Sequence, residues 1–141
     1  WCSDDNGDNC KKLGRLYNWK TAGKVCPAGW RLPSKSDFEN LVNLAGGEQV
    51  GGRKLKSTSG WANNLNGTDA LGFNAIAAGD RATDENRDGF DWLGYATSFW
   101  SSTAAFEQDG FALFLTGGND QAQLVTEKVE TTGYSVRCIK D

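Results

Sequence analysis

The most distinctive chemical pattern in the sequence is an acidic stretch between residues 84 and 91. Asp84, Asn86 and Asp88 stand at alternate positions, and Gly89 follows them directly. Calcium takes roughly six to eight oxygen ligands, and alternate residues of a tight loop can direct their oxygens inward while glycine permits the turn. The spacing predicts a calcium site formed by these three residues, with Asp91 as a further ligand.

Two features of this segment differ from an EF-hand. Its twelfth position is Tyr95 rather than a bidentate glutamate, and no helical pattern flanks it. We therefore expect weak calcium affinity, with a dissociation constant of about 10⁻⁴–10⁻³ M, as in extracellular modules. The alternative is a solvated acidic turn without a metal, because Asp, Asn and Gly are the ordinary residues of turns.

The four cysteines, Cys2, Cys10, Cys26 and Cys138, include no Cys-x-x-Cys pair, which argues against a zinc ribbon or a thioredoxin-like site. An even count in a turn-rich chain indicates disulfides and an oxidising compartment. Cys2 and Cys10 flank a short polar stretch that gains from a local link, which leaves Cys26 to pair with Cys138 and close most of the chain. The alternative is four reduced, buried thiols.

Residue types that are missing or undistinguished exclude several enzyme classes. The chain has no histidine, which excludes a Ser-His-Asp triad, a Cys-His dyad and any zinc site that needs imidazole. No pair of carboxylates is distinguished by its surroundings, so no general acid or base can be assigned. Paired cysteines leave no thiol nucleophile. We expect no enzymatic activity and assign no catalytic residue.

Length and composition set the remaining limits. The 141 residues fit one domain spanning 1–141, and the 18 glycines indicate many turns. Basic residues (15) are fewer than acidic ones (18), which argues against nucleic acid as a partner. The longest apolar run covers residues 111–115, so we expect no membrane insertion by this segment. Because the chain starts at Trp1, we expect a processed protein or a fragment, and a monomer when isolated.

Helix signals lie in the first third of the chain. Ser34 and Asp37 have the spacing of a capping box, which predicts a helix over residues 35–45. Its apolar face comprises Phe38, Leu41, Val42 and Ala45, and its polar face comprises Glu39, Asn40 and Asn43. A shorter amphipathic helix fits residues 16–22, and residues 1–9 are predicted to be irregular.

Strand signals follow the helices. Aromatic and β-branched residues predict strands over 99–103, 111–116, 123–129 and 134–140, and residues 54–61 and 72–76 fit short extended pieces. Helices followed by strands indicate an α+β fold, with two short helices before a small twisted antiparallel sheet with long loops.

Several motifs occur in the order in which they occur in one known family. They are GRLYNW at 14–19, VCPAGWRLPS at 25–34, KLKSTSGW at 54–61, NGTD at 66–69, LGF at 71–73, FWSST at 99–103 and GYSVRC at 133–138. On these motifs the chain is identified as a member of the Fibrobacter succinogenes major paralogous domain family. The resemblance implies a secreted or surface-exposed bacterial domain with a variant of the C-type lectin fold, which formylglycine-generating enzymes share. In that fold an early cysteine bonds to one in the last strand, in agreement with Cys26–Cys138.

The sequence departs from this family in two segments, residues 82–98 and 104–132, where a lectin-like fold tends to place ligand-facing loops. Aromatic rings can stack on the apolar faces of sugars. We expect ligand contacts from six residues in these segments: Trp92, Tyr95, Asp109, Asn119, Asp120 and Gln121. The tryptophans inside the family motifs are expected in the core.

These features together predict a non-enzymatic extracellular binding module for a glycan or protein ligand, with a role in adhesion. The ligand would meet a surface formed by loops 82–98 and 104–132. The alternatives are an enzyme of unknown chemistry on the same fold and a structural cap or spacer of a larger bacterial surface protein.

Overall fold

The computed structural model describes every residue from Trp1 to Asp141. Four short α-helices lie in the first half of the chain: α1 (Gly7–Leu13), α2 (Trp19–Ala22), α3 (Lys35–Leu44) and α4 (Gly51–Leu55). Two 3₁₀ turns cover Ser3–Asp5 and Ala62–Asn64. No helix has both the length and the apolar character needed to cross a membrane.

Eight strands form two sheets. They are β1 (Trp30–Arg31), β2 (Ala78–Thr83), β3 (Asp88–Leu93), β4 (Ala96–Ala104), β5 (Asp109–Thr116), β6 (Ala122–Lys128), β7 (Thr132–Gly133) and β8 (Ile139–Lys140). Strands β1 and β8 pair with each other, and the central sheet has the order β3-β2-β4-β5-β6, with β7 also paired to β2. Strands β2 and β4 are parallel, whereas the other neighbours are antiparallel. The α+β class is confirmed, but the chain has four short α-helices rather than two, and the sheet is mixed rather than antiparallel throughout.

Helix α3 forms through the predicted capping box. The Ser34 hydroxyl accepts a hydrogen bond from the Asp37 backbone N–H at 3.2 Å, and the Asp37 carboxylate accepts one from the Ser34 backbone N–H at 2.7 Å. Phe38 and Val42 are buried against the sheet, and Leu41 packs beside them half-buried. The helix ends at Leu44, one residue before the predicted end.

The central sheet separates two apolar clusters because side chains alternate between its faces. On one face, Phe99 of β4 and Leu113 of β5 pack with α3 and with Phe73, whose ring meets that of Phe99 edge-on at 5.2 Å. On the opposite face, Trp100 packs with Tyr134, with ring centroids 4.7 Å apart. We call these the helix face and the cleft face of the sheet.

Both predicted disulfides are confirmed. Cys2 bonds to Cys10 and Cys26 bonds to Cys138, each with an S–S distance of 2.06 Å, and no cysteine is free. The second bond joins the segment after α2 to the segment before β8.

Three local predictions near the N-terminus were wrong. Residues 1–9 are not irregular but contain a 3₁₀ turn and the start of α1, where the Asn6 side chain accepts a hydrogen bond from the Asp8 backbone N–H. Helix α2 begins at Trp19 rather than near residue 16, because Asn18 caps it and Tyr17 pairs its backbone with Tyr134. The stretch 54–61 is not an extended piece either, because α4 continues to Leu55 and only Lys56 after it forms a β-bridge.

Two predictions further along were also wrong in part. Residues 134–140 form two bridges and the short strand β8 rather than one continuous strand. Residues 82–98, predicted as an inserted loop, are mostly strand and belong to β2, β3 and β4. These residues form strands because their backbones pair with neighbouring strands. Small and charged side chains allow this pairing, but they lack the alternation of apolar residues that would predict a strand.

Candidate functional site

Strands β2 and β3 form a hairpin at the edge of the central sheet. The register places Asp80 opposite Asp91 and Thr83 opposite Asp88. Between the strands, the backbones of Asp84 and Arg87 bond to each other in both directions, at 3.0 and 3.3 Å. The Asp84 carboxylate accepts hydrogen bonds from the backbone N–H groups of Asn86 and Arg87, each at 2.9 Å, which fixes the turn.

The four residues of the predicted calcium site lie in this hairpin and do not converge. The Asp84 carboxylate faces its own turn, Asp88 pairs with Arg81 at 2.7 Å, and Asp91 lies 3.5 Å from Arg87. Asn86 is exposed. No three acidic, cysteine or histidine side chains in the structure form a group that could hold a metal. This geometry adds no support for calcium, which stays a prediction from the sequence.

A cleft of about 950 Å³ opens over the cleft face of the sheet, beneath the hairpin. Its apolar floor consists of Ala82 of β2, Ala96 of β4, Phe114 of β5 and Val125 of β6, with Tyr134 at one side. Polar groups form the rim and come from the hairpin turn, from the loop after β5 and from the segment before β7: Asp84, Asn86, Arg87, Thr116, Asn119, Thr131 and Thr132. The cleft thus joins the two segments that the sequence analysis assigned to the ligand.

An aromatic pair stands at one end of the cleft. The rings of Trp92 and Tyr95 have centroids 5.7 Å apart and an interplanar angle of 39°. Trp92 is 54% exposed, and its backbone has a φ of 63°. A bulky residue in the left-handed region is a strained conformation that persists only where its surroundings impose it. The fold therefore holds a large apolar ring in solvent at an energetic cost.

Acidic residues outnumber basic ones in the lining of the cleft, by three to two. The Arg87 guanidinium is shared between two carboxylates, Asp80 at 3.1 Å and Asp91 at 3.5 Å. Burial raises the pKa of Asp80, the Arg87 charge opposes that rise, and the carboxylates of Asp91 and Glu127 add to it. Burial also raises the pKa of the Tyr134 hydroxyl, with further contributions from Glu127 and Asp80.

Comparison with known proteins bears on the whole chain. The family model of the Fibrobacter succinogenes major domain matches residues 1–140. The chain belongs to this family. No curated protein and no solved structure matches it.

A buried lysine connects the cleft rim to the rest of the fold. The Lys56 side chain is fully buried, and its ammonium donates to the backbone carbonyls of Thr116 at 3.2 Å and Asn119 at 2.9 Å. It lies 3.7 Å from a carboxylate oxygen of Asp120 and 5.3 Å from the centre of the Trp61 ring. Burial lowers the pKa of Lys56, whereas Asp120 raises it. Lys56 thereby fixes the loop that brings Asn119 to the cleft.

The six residues predicted to contact a ligand divide into two groups. Trp92, Tyr95 and Asn119 line the cleft. The other three have partners elsewhere: Asp109 pairs with Lys128 at 3.0 Å, Asp120 faces Lys56, and the Gln121 amide donates to the Gln49 side chain at 2.9 Å.

Four cleft residues with polar side chains were not predicted from the sequence: Asp80, Arg87, Glu127 and Tyr134. Asp80 follows small residues that give no strand signal, and Arg87 was passed over inside the predicted calcium segment. Glu127 sits in a correctly predicted strand, where period-two alternation with the half-buried floor residue Val125 is the one signal that could have placed it on the cleft face.

Proposed function

We propose that this protein is a non-enzymatic extracellular binding module that holds a glycan in the cleft beneath the β2–β3 hairpin. The observation that carries the proposal is the exposed, strained Trp92, paired with Tyr95 at the end of a cleft rimmed by amide, hydroxyl and carboxylate groups. Sugars present an apolar face for stacking and hydroxyl groups for hydrogen bonds. The cleft supplies a partner for each.

The fold and the disulfides support the location in this proposal. Two disulfides persist in oxidising surroundings, as expected for a secreted or cell-surface domain with a role in adhesion. An early cysteine bonded to one close to the last strand also agrees with a variant of the C-type lectin fold. We propose that fold relationship, together with a monomeric state for the isolated domain.

A second candidate is an enzyme of unknown chemistry at the same cleft. Asp80 and Glu127 both line it, and burial raises the pKa of Asp80, with a further contribution from the Glu127 charge. Carboxylates with raised pKa values are typical of acid–base catalysis, but structural ion pairs also produce such shifts. Release of new reducing ends from a bound glycan, abolished in Asp80→Asn, would favour this candidate over simple binding.

A glycan array tests the binding proposal directly. The parent protein should bind a restricted set of glycans, and Trp92→Ala should lose that binding. Trp30→Ala is the matched control, because Trp30 is 45% exposed but lies outside the cleft. Running the array with calcium and with chelator also tests the predicted metal. Equal binding by the two variants would place the ligand elsewhere, and no binding at all would favour a protein ligand or the spacer role.

A further inference from the structure

We infer that the glycan held in this cleft carries free amino groups, with an ammonium bound at Glu127 while a sugar ring stacks on Trp92. This inference rests on the proposed glycan-binding function and specifies its ligand class. It is carried by the cavity as a whole, which has an unpaired carboxylate on β6 at one edge of the sheet and an exposed aromatic ring on β3 at the other edge.

The charges that line the cleft are not balanced within the protein. Its two cationic lining residues are already engaged, Arg87 by Asp80 and Asp91, and Lys128 by Asp109. Glu127 is half-buried in the cleft and takes part in none of the structure's ion pairs. A positive group on the ligand therefore gains a charge interaction with a carboxylate that no cation of the protein already neutralises.

The neighbours of Glu127 favour an ammonium over a larger or more highly charged cation. Asp80 lines the same cleft and adds negative charge, while the Tyr134 hydroxyl offers a hydrogen-bonding group. An ammonium has three N–H donors and can bond to carboxylate and hydroxyl oxygens together. A metal ion would need several converging oxygens, and no such group forms in the structure.

The remaining lining favours an amino sugar over a lysine side chain. The cleft has a ring for stacking at one end and amide and hydroxyl groups along its rim, and a cation alone would not use them. The rim groups belong to Asn86, Thr116, Asn119 and Thr131. A lysine side chain would use the carboxylates and leave these groups without partners. Sugar hydroxyls would satisfy them, so the complete lining fits a polymer of amino sugars.

Calorimetric titration with chitosan oligosaccharides tests the inference, with fully acetylated chitin oligosaccharides of the same length as the matched ligand. The two share a backbone, but only the first carries ammonium groups at mildly acidic pH. The parent should bind the amino form about tenfold or more tightly. Glu127→Gln should remove this preference, and added salt should weaken it.

Glu107→Gln is the matched protein control, because it removes the same charge from an exposed residue outside the cleft. If Glu107→Gln reduces the preference for chitosan as much as Glu127→Gln does, the net charge of the protein attracts the ligand and the inference is wrong. Equal or stronger binding of chitin would overturn the inference and leave glycan binding intact. Oligolysine that binds as tightly as chitosan would overturn the sugar assignment. Binding of neither oligosaccharide would also overturn the inference, while the glycan array decides the proposed function separately.

Discussion

The two faces of the central sheet are built on opposite principles. On the helix face, Phe38, Phe99 and Leu113 are almost completely buried in one apolar cluster. On the cleft face, Trp100 and Tyr134 cover only part of the sheet, and the rest is an open cleft with the exposed Trp92 and the unpaired Glu127. One face stabilises the fold, and the other retains strain and charge that a stable fold does not need. Such a division is expected where the second face is a binding site.

The largest effect should come from the helix face. Phe38 is 2% exposed in the main apolar cluster, so Phe38→Ala should lower the free energy of unfolding by about 3–5 kcal/mol. Denaturant unfolding measures this change, with Asn40→Ala on the exposed side of the same helix as the control. A loss below about 1 kcal/mol would show that this face does not carry the stability of the fold.

A smaller effect is expected where the two regions meet, at Lys56. Lys56→Met keeps the length of the side chain but leaves the carbonyls of Thr116 and Asn119 without their donor. We expect a loss of about 1–3 kcal/mol in stability, together with weaker glycan binding. Lys54→Met is the control, because Lys54 is exposed two residues away. Equal effects of the two substitutions on stability and on glycan binding would show that Lys56 does not position the cleft rim.

An aromatic residue on the cleft face should respond in the opposite direction to Phe38. The backbone of Trp92 has a φ of 63°, which glycine adopts without strain, so Trp92→Gly relieves that strain. The ring that is lost is only half buried. Thermal unfolding should show unchanged stability or a gain of about 1 kcal/mol, while glycan binding is lost. A loss of more than about 2 kcal/mol would mean that Trp92 belongs to the core, and the contrast between the two faces would fail.

The hydrogen bonds of Asp37, which caps α3, should make the stability of the protein decrease in acid. A hydrogen bond from Arg31, at 2.6 Å, and those from Ser34 hold the pKa of Asp37 well below its ordinary 3.8. A lowered folded pKa stabilises the protein above pH 3.8, and this contribution is lost as the pH falls further. Asp37→Asn should cost about 1 kcal/mol at neutral pH and progressively less in acid. A difference between the proteins that does not depend on pH would contradict this assignment.

The smallest effect concerns calcium at the hairpin. If Asp84, Asn86, Asp88 and Asp91 bind the ion, millimolar calcium should stabilise the parent by about 1 kcal/mol, a rise of a few degrees in Tm. Asp88→Asn should not respond. A Tm that is the same in calcium and chelator, or that shifts equally in both proteins, would identify the segment as an ordinary acidic turn.

The helix face could be predicted from the sequence, and most of the cleft could not. Phe38, Leu41 and Val42 recur at helical spacing, and Ser34 with Asp37 marks where the helix starts. Such signals exist because burial selects apolar residues at regular intervals. The two disulfides followed from loop lengths and cysteine spacing.

The β2–β3 hairpin has no comparable signal. Its sequence of small and charged residues is that of a loop, and its structure depends on pairing of β2 with β4 and with β7, of which β7 is distant in sequence. Trp92 and Tyr95 could be selected because large aromatic residues in a polar segment are unusual. Asp80 and Glu127 are 47 residues apart in the sequence, and only the topology of the sheet places both in the lining of one cleft.

Backbone chemical-shift mapping by NMR tests the central claim most directly, using the glycan that binds best on the array. The account predicts that the largest shifts fall on cleft residues such as Ala82, Trp92 and Glu127, with little change on α3. A second, apolar pocket lies on the other side of the molecule among Trp30, Phe73 and Ile139. Shifts concentrated on that pocket, with the cleft residues unchanged, would contradict the account.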